Sequence, residues 1–395
     1  MKKTSIFLAA VTLLAATSVA RSVKEDPKCY AAYPAQYTTY RLQANEGEIK
    51  IDGKLDEPAW KNAPILTPLK DIEGPATTKT VYLNTTVRMR WDSEYLYLGA
   101  IMEEPQAWAT INYHNGLLFT ENNFEFFADP SGNNQYYKEL EFNAHNMNWN
   151  LMISKPPLDG GISICNVSDP TVCVYHDQNN ETYDIDSRGM KTAVTVDGTL
   201  NDPSKGSKSW TFEAKFPLKE LAKYHTCSIP PNHGDFWHMN VMRVEWHLHA
   251  ERLEDGTLIY VKDAGRKCHN WAWQPTGVVN IHLPDRWGYL RFADEAVPEV
   301  PVEEVKDDSY PVRKALQEMF YSEKIFSSVY GRGYTDNVQS LVVNARLPEY
   351  IAKGECAGVP VVNIENGKFF IKVASLDSKI VGTIDTNRKV TIYRY

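Results

Sequence analysis

Three carboxylates and an amide have the spacing of a binding surface. Glu125 falls in an alternating run at 123–129, and Glu139, Glu141 and Asn143 fall in a second at 136–143. The two runs flank Pro130-Ser131-Gly132-Asn133-Asn134, a hairpin turn signal. A side-chain period of two puts Glu139, Glu141 and Asn143 on one face, opposite Leu140 and Phe142. Carboxylates accept charge-assisted hydrogen bonds from hydroxyls, and an aromatic ring covers the apolar C–H face of a sugar. Phe119, Trp149, Trp271 and Trp273 are the rings available as plates, and His282 could stack or bond a hydroxyl. The competing reading is a solvated sheet face for the acids, core packing for the tryptophans and a structural histidine. Glu125 with Glu141 would also serve as the carboxyl pair of a glycoside hydrolase. Neither a G-x-S-x-G nor a zinc motif accompanies them. Asp52, Asp56 and Glu57 form an acidic turn that could take calcium, although capping of a helical turn explains it better.

The elements that must hold these residues are short strands. Alternation predicts strands within 77–92 and at 95–103, joined by an Asp92-Ser93-Glu94 turn, then at 190–196, 209–216 and 236–246. Residues 270–292 carry three of the ten tryptophans and end as a further strand. Asp56 and Pro58 suit the start of a short helical turn whose Trp60 faces the core. Residues 294–309 are acidic and proline-bearing and read as a linker. Beyond it, Ser309 caps a helix with apolar positions Val312, Leu316, Met319, Phe320, Ile325 and Val329, stopped by Gly331, before four short strands. The expected fold is mainly β: an antiparallel sandwich or jelly roll with a small C-terminal α+β appendage at 310–395.

Composition limits the partners. Net charge is −8 with dispersed basic residues, which argues against nucleic acid. Lys2 and Lys3, the apolar run 6–16 and Ser18-Val19-Ala20 read as a signal peptide over 1–20, followed by an N-terminal segment at 21–45. No other stretch has the apolar length of a membrane span. The expected product is secreted and extracellular. Six cysteines then read as disulfides, with Cys165–Cys173 as a local pair and Cys227–Cys268 as a second. Asn84, Asn166 and Asn180 begin glycosylation sequons.

Five segments follow one another in an order that resembles carbohydrate-binding module family 9, among the DOMON-like sandwiches. They are IDGKLDEPAW, VRMRWDSEYLYLGA, NNFEFFADPSGNNQYYKELEFNA, WTFEAKFPLKEL with GDFWHMNVMRVEW, and NWAWQPTGVVNIHLPDRWGYLRF. The resemblance covers 46–293 and is nearest a branch in which the module is the main body of a secreted protein. It implies sugar binding, with calcium reported in the family. It puts Phe119 where relatives carry a first stacking tryptophan, and it makes Glu125 a polar contact. Asn143 stands at a ligand-facing asparagine, Glu141 at an arginine position, and Ile281 beside His282 at the second tryptophan. The resulting expectation is a protein that binds an oligo- or polysaccharide through Phe119, Glu125, Glu141, Asn143, Trp273 and His282. A glycoside hydrolase and a structural or adhesion protein are the alternatives.

Overall fold

The computed structural model describes residues 27–163, 175–176, 182–183, 189–300, 302–331 and 333–395. The expected signal peptide, Cys165, Cys173, Asn166 and Asn180 lie outside the described residues. The chain divides into two compact units, 1–32 and 33–395. In the first, residues 27–32 form turns.

The second unit is mainly β. Its strands are β1 (Gln36–Arg41), β2 (Lys70–Asp71), β3 (Thr85–Trp91), β4 (Tyr95–Glu103), β5 (Asn123–Asp129), β6 (Tyr137–Phe142) and β7 (Asn148–Ile153). They continue with β8 (Tyr175–His176), β9 (Thr182–Tyr183), β10 (Lys191–Gly198), β11 (Ser207–Pro217), β12 (Phe236–Glu245), β13 (Leu248–Arg252), β14 (Leu258–Lys262), β15 (His269–Ala272) and β16 (Gly288–Ala293). One large sheet runs in the order β10-β11-β4-β3-β1-β16-β12-β5-β6-β7. It curls so that its two halves face each other. Phe126 of β5 stacks on Phe216 of β11 at 5.4 Å, and Phe142 of β6 on Phe212 at 4.2 Å. Val87, Met89, Trp91, Trp237 and Leu290 fill the same core. Alternation explains the sandwich: each strand turns every second side chain inward.

Pairing is antiparallel except at β1, which runs parallel to both β16 and β3. These parallel pairings sit within the expected mainly β, otherwise antiparallel sandwich. No hairpin ties β1 to either neighbour, so nothing forces an antiparallel direction where it bridges the two halves. Two capping expectations change. Glu57, not Asp56, precedes the turn α1 (Pro58–Asn62), and it makes no side-chain cap. A second short turn, α2 (Leu218–Leu221), follows β11.

The C-terminal part has its own core. Helices α3 (Tyr310–Tyr330), α4 (Val338–Asn344) and α5 (Glu349–Ala352) precede a sheet of β17 (Val361–Glu365), β18 (Lys368–Ala374), β19 (Ile380–Asp385) and β20 (Val390–Arg394). Ser309 stands before α3 but its hydroxyl donates to Asp307 rather than capping the helix. Val312, Leu316 and Phe320 of α3 pack on Phe369, Ile371 and Ile384. Gly382 permits that approach, since a Cβ there would lie 2.6 Å from Val312. Arg388, in the β19–β20 turn, joins this sheet to the sandwich. Its guanidinium pairs with Asp159 at 2.7 Å and Asp285 at 3.1 Å, and Asp285 also accepts from Tyr321. Among the described residues, no helix is long and apolar enough to cross a membrane.

Candidate functional site

Strand alternation that sends Phe124, Phe126, Leu140 and Phe142 into the core sends Glu125, Glu139 and Glu141 to the opposite face. Glu125 sits directly across from Glu141, and Glu139 across from Phe127. That face is not open to water. Leu118, Ile281 and Trp287 from loops close over it and pack with Phe127, Tyr137, Trp149, Leu151 and Met242. Glu125, Glu139 and Glu141 are therefore only 1, 5 and 2 % exposed. One oxygen from each lies within 4.8 Å of the other two.

The polar partners are few. The Asn123 amide donates to Glu125 at 2.9 Å and to Glu141 at 3.1 Å. The Glu139 and Glu141 carboxyls lie against each other, and the Phe119 main chain lies against Glu141. The second oxygen of Glu139 has no protein partner. Burial disfavours the charged form of all three, so it lifts Glu125 to about 8 and Glu139 to about 7, and Glu141 goes well above its ordinary value. Mutual repulsion adds to burial at Glu125 and Glu141. Near neutral pH the cluster therefore retains protons. It can donate as well as accept within the protein, beneath Leu118, Ile281 and Trp287.

Phe119 stands over this cluster in a 3-10 turn, Leu118–Thr120. Its ring stacks on Trp149 at 5.3 Å, yet the residue remains 44 % exposed. Its carbonyl accepts from the Trp246 indole at 3.2 Å, and the Lys262 ammonium lies 4.2 Å from the centre of the Trp246 ring. His282 belongs to the same covered face. It packs against Phe127 and Tyr137, and its Nδ1 is 3.2 Å from the Tyr137 hydroxyl. Burial pulls its pKa down to about 4, so the imidazole is neutral at pH 7.

The structure brings Phe119, Glu125, Glu141 and His282 onto one face and puts two expected residues elsewhere. Asn143 lies just past β6 and is wholly buried. Its Nδ2 donates to Ile111 and Glu121, and its Oδ1 accepts from the main chain of His145 and Met147. It staples a turn. Trp273 is a correction of the same kind: it lies in the core between the two halves of the sandwich and fills the space beside Gly288. Asn123 was absent from the expected set, although its position two residues before Glu125 placed it on the same face. Trp246 gave no such signal, because it sits just beyond the end of β12.

The expected Cys227–Cys268 bridge does not form; both thiols are free. The strands carry them to different places, Cys268 to the covered face and Cys227 to a groove beside β20. Cys29 and Cys356 are each in a disulfide.

Calcium prefers six to eight oxygen ligands at about 2.3–2.6 Å. The Glu125–Glu139–Glu141 cluster would be the group to hold a cation, with the Asn123 amide beside it. In the Asp52–Glu57 turn the carboxylates brace main chain instead. Asp52 accepts from Lys54 N–H, and Glu57 from Lys50 N–H. The Asp52–Glu57 turn, with these carboxylates engaged by main chain, lacks the donor set of a calcium site.

No protein-family model matches the chain, and no curated protein does. Solved structures do align with it. A family 9 carbohydrate-binding module from Caldicellulosiruptor kristjanssonii, in complex with cellotriose, aligns at 14 % identity and a TM-score of 0.37. That alignment covers 68 % of this chain and all of the module. A module of the same description, in complex with glucose, gives the same figures. A candidate carbohydrate-binding protein from Bacteroides uniformis aligns at 15 % identity and a TM-score of 0.43, over 66 % of this chain and 99 % of its own. The chain is thus similar, at low identity, to family 9 carbohydrate-binding modules.

Proposed function

We propose that this is a secreted protein that binds an oligo- or polysaccharide at the mouth of the covered sheet face, with Phe119 as the stacking plate. The observation that carries the reading is a half-exposed aromatic ring, braced by Trp149, directly over a cluster of proton-retaining carboxyls. A sugar laid on the ring meets an apolar plate, braced by Trp149 and by the Phe119 main chain lying against Glu141. The ordered sequence motifs of 46–293 support the same ligand class. Secretion rests on the N-terminal segment, and Asn84 is exposed just before β3, where a glycan would meet solvent.

Immobilised-glycan binding tests the reading. Phe119→Ala is expected to lose at least about fivefold in affinity, given the roughly 1–3 kcal/mol carried by a stacking ring. Unchanged binding would remove Phe119 from the site. The facing of Glu125 and Glu141 across adjacent strands favours one second reading, glycoside hydrolysis. Release of reducing sugar by the wild type and not by Glu125→Gln would replace binding with catalysis. Neither binding nor release would leave a structural or adhesion role.

A further inference from the structure

A second surface with sugar-binding chemistry lies at the other end of β5. An open groove of about 1150 Å³ runs between the β5–β6 turn, the segment around 224–236, residues 305–308 and β20. Its volume exceeds the usual range for small-molecule pockets, about 300–1000 Å³, which gives room for several sugar units. Three tyrosines line it without being buried: Tyr136 is 40 % exposed, Tyr224 50 % and Tyr393 48 %. The Tyr136 and Tyr224 rings lie 5.2 Å apart at 37° and make one continuous aromatic floor.

Tyr136 reaches that position at a cost. Its φ is +53°, the left-handed region that bulky side chains avoid, and such residues cost about 1–3 kcal/mol. The turn holds it there through its N–H to Ser154 and its carbonyl to His225. The strain does not serve core packing, because the ring is directed into the groove. Strained backbone of this kind persists where surrounding structure enforces it and is concentrated at ligand sites.

The rim carries both signs of charge. Lys389 is exposed, Arg394 is paired with Asp308 and Asp307 at the protein surface, and Asp235 is opposite. An anionic polymer would want a stripe of one sign. A neutral chain of hydroxyls is served equally by donors and acceptors. We propose that this groove is a second binding site, for an internal stretch of a neutral oligosaccharide, with Tyr136, Tyr224 and Tyr393 as its stacking platforms. It shares a ligand class with the Phe119 site but none of its residues. The seven residues of β5 separate the two sites by about 20 Å at the usual rise per strand residue. One chain would then grip a polysaccharide at two points, and the second contact would be made at high effective concentration.

Isothermal titration with cellohexaose, xylohexaose and mannohexaose, together with retention on the matching insoluble polysaccharides, tests this. Tyr224→Ala and Tyr393→Ala change exposed rings and leave the fold intact, as far-UV circular dichroism and an unchanged melting temperature would verify. For a hexaose that the wild type binds, the double variant is expected to lower stoichiometry from two to one and retention by at least tenfold. Phe119→Ala should remove the other site alone. Loss of all binding in Phe119→Ala, with none in the tyrosine variant, would overturn the groove and keep the first reading. The opposite pattern would keep the groove and overturn the first reading. A wild type that binds none of the three hexaoses would overturn the groove's ligand class.

Discussion

Two clusters of buried carboxylates, one around β12 and one on the neighbouring β5 and β6, solve the same problem differently. Glu104 and Glu245 share the guanidinium of Arg243, with Nη2 at 3.0 Å from Glu104 and 2.9 Å from Glu245. Asn122 donates to both carboxylates. Even there burial outweighs the cation at Glu245, which is lifted to about 8. Glu125, Glu139 and Glu141 have Asn123 in the role of Asn122 but no guanidinium, and the charges acting on them are mainly one another's. One cluster is held by an ion pair and a retained proton, the other by retained protons alone. A buried ion pair contributes little net stability but becomes costly when halved, whereas a protonated cluster is sensitive to pH. The first is therefore a structural fixture. The second, beneath Phe119, can respond to what approaches it.

The sharpest way to break the comparison is to remove the cation. Arg243→Met leaves two carboxylates in a site that is 1 % exposed at the arginine, with no charge to face. The expected loss is about 3–5 kcal/mol, the usual cost of halving a buried pair. Urea denaturation at pH 7 would measure it. A change below 1 kcal/mol would mean that Arg243 is not what makes Glu104 and Glu245 tolerable.

The proton-held cluster is tested by pH. Its folded pKa values lie above the ordinary 4.5, so the stability it confers is complete below that value and is lost as pH rises through about 7 and 8. Between pH 6.5 and 8.5 the depressed histidines His238 and His282 are neutral when folded and contribute little, whereas Glu245 and Glu323, lifted to about 8 and about 7, add to the same loss. In that window the wild type should lose on the order of 1–3 kcal/mol. Glu139→Gln removes one group that titrates near 7 and should flatten the slope. Denaturation midpoints at half-unit pH steps would show it. An identical slope in both proteins would place the titration elsewhere.

This contrast also marks how far the sequence can be read. Period-two alternation puts Glu125, Glu139 and Glu141 on one face correctly, because pleat geometry is local. What covers that face is not local: Leu118, Ile281 and Trp287 arrive from loops far apart in sequence, and they turn an apparently wet surface into a buried one. Trp273 and Asn143 fail for the same reason. Their strands are legible, but their neighbours come from other strands and loops. The C-terminal strands, by contrast, lie within a residue or two of the expected positions, since Gly and Asp turns punctuate them. The β7 strand and the β13–β14 hairpin escape notice because Asn-rich and charged segments hide their alternation. Both cores depend on residues that pattern alone identifies, and the site depends on those it does not.

A third buried carboxylate sharpens the comparison at the lowest cost. Glu213 of β11 is fully buried and has neither a cation nor a carboxyl neighbour in hydrogen-bond contact. Main-chain N–H groups of Asp52 and Gly53 donate to one oxygen at 2.9 and 2.8 Å, and the Trp60 indole donates to the other at 2.8 Å. Burial raises its pKa and these donors oppose the rise. Three N–H groups thus act as solvent and tie the Asp52-Gly53 turn to the sheet. Trp60→Phe keeps most of the buried ring and deletes one donor, so the expected loss is about 1–2 kcal/mol, smaller than at either cluster. The loss should grow with pH as the carboxylate ionises without its third donor. Thermal denaturation at pH 5 and pH 8 would separate these effects. Equal losses at the two values would mean that the deficit comes from packing of the indole ring, and that Glu213 is held by the turn alone.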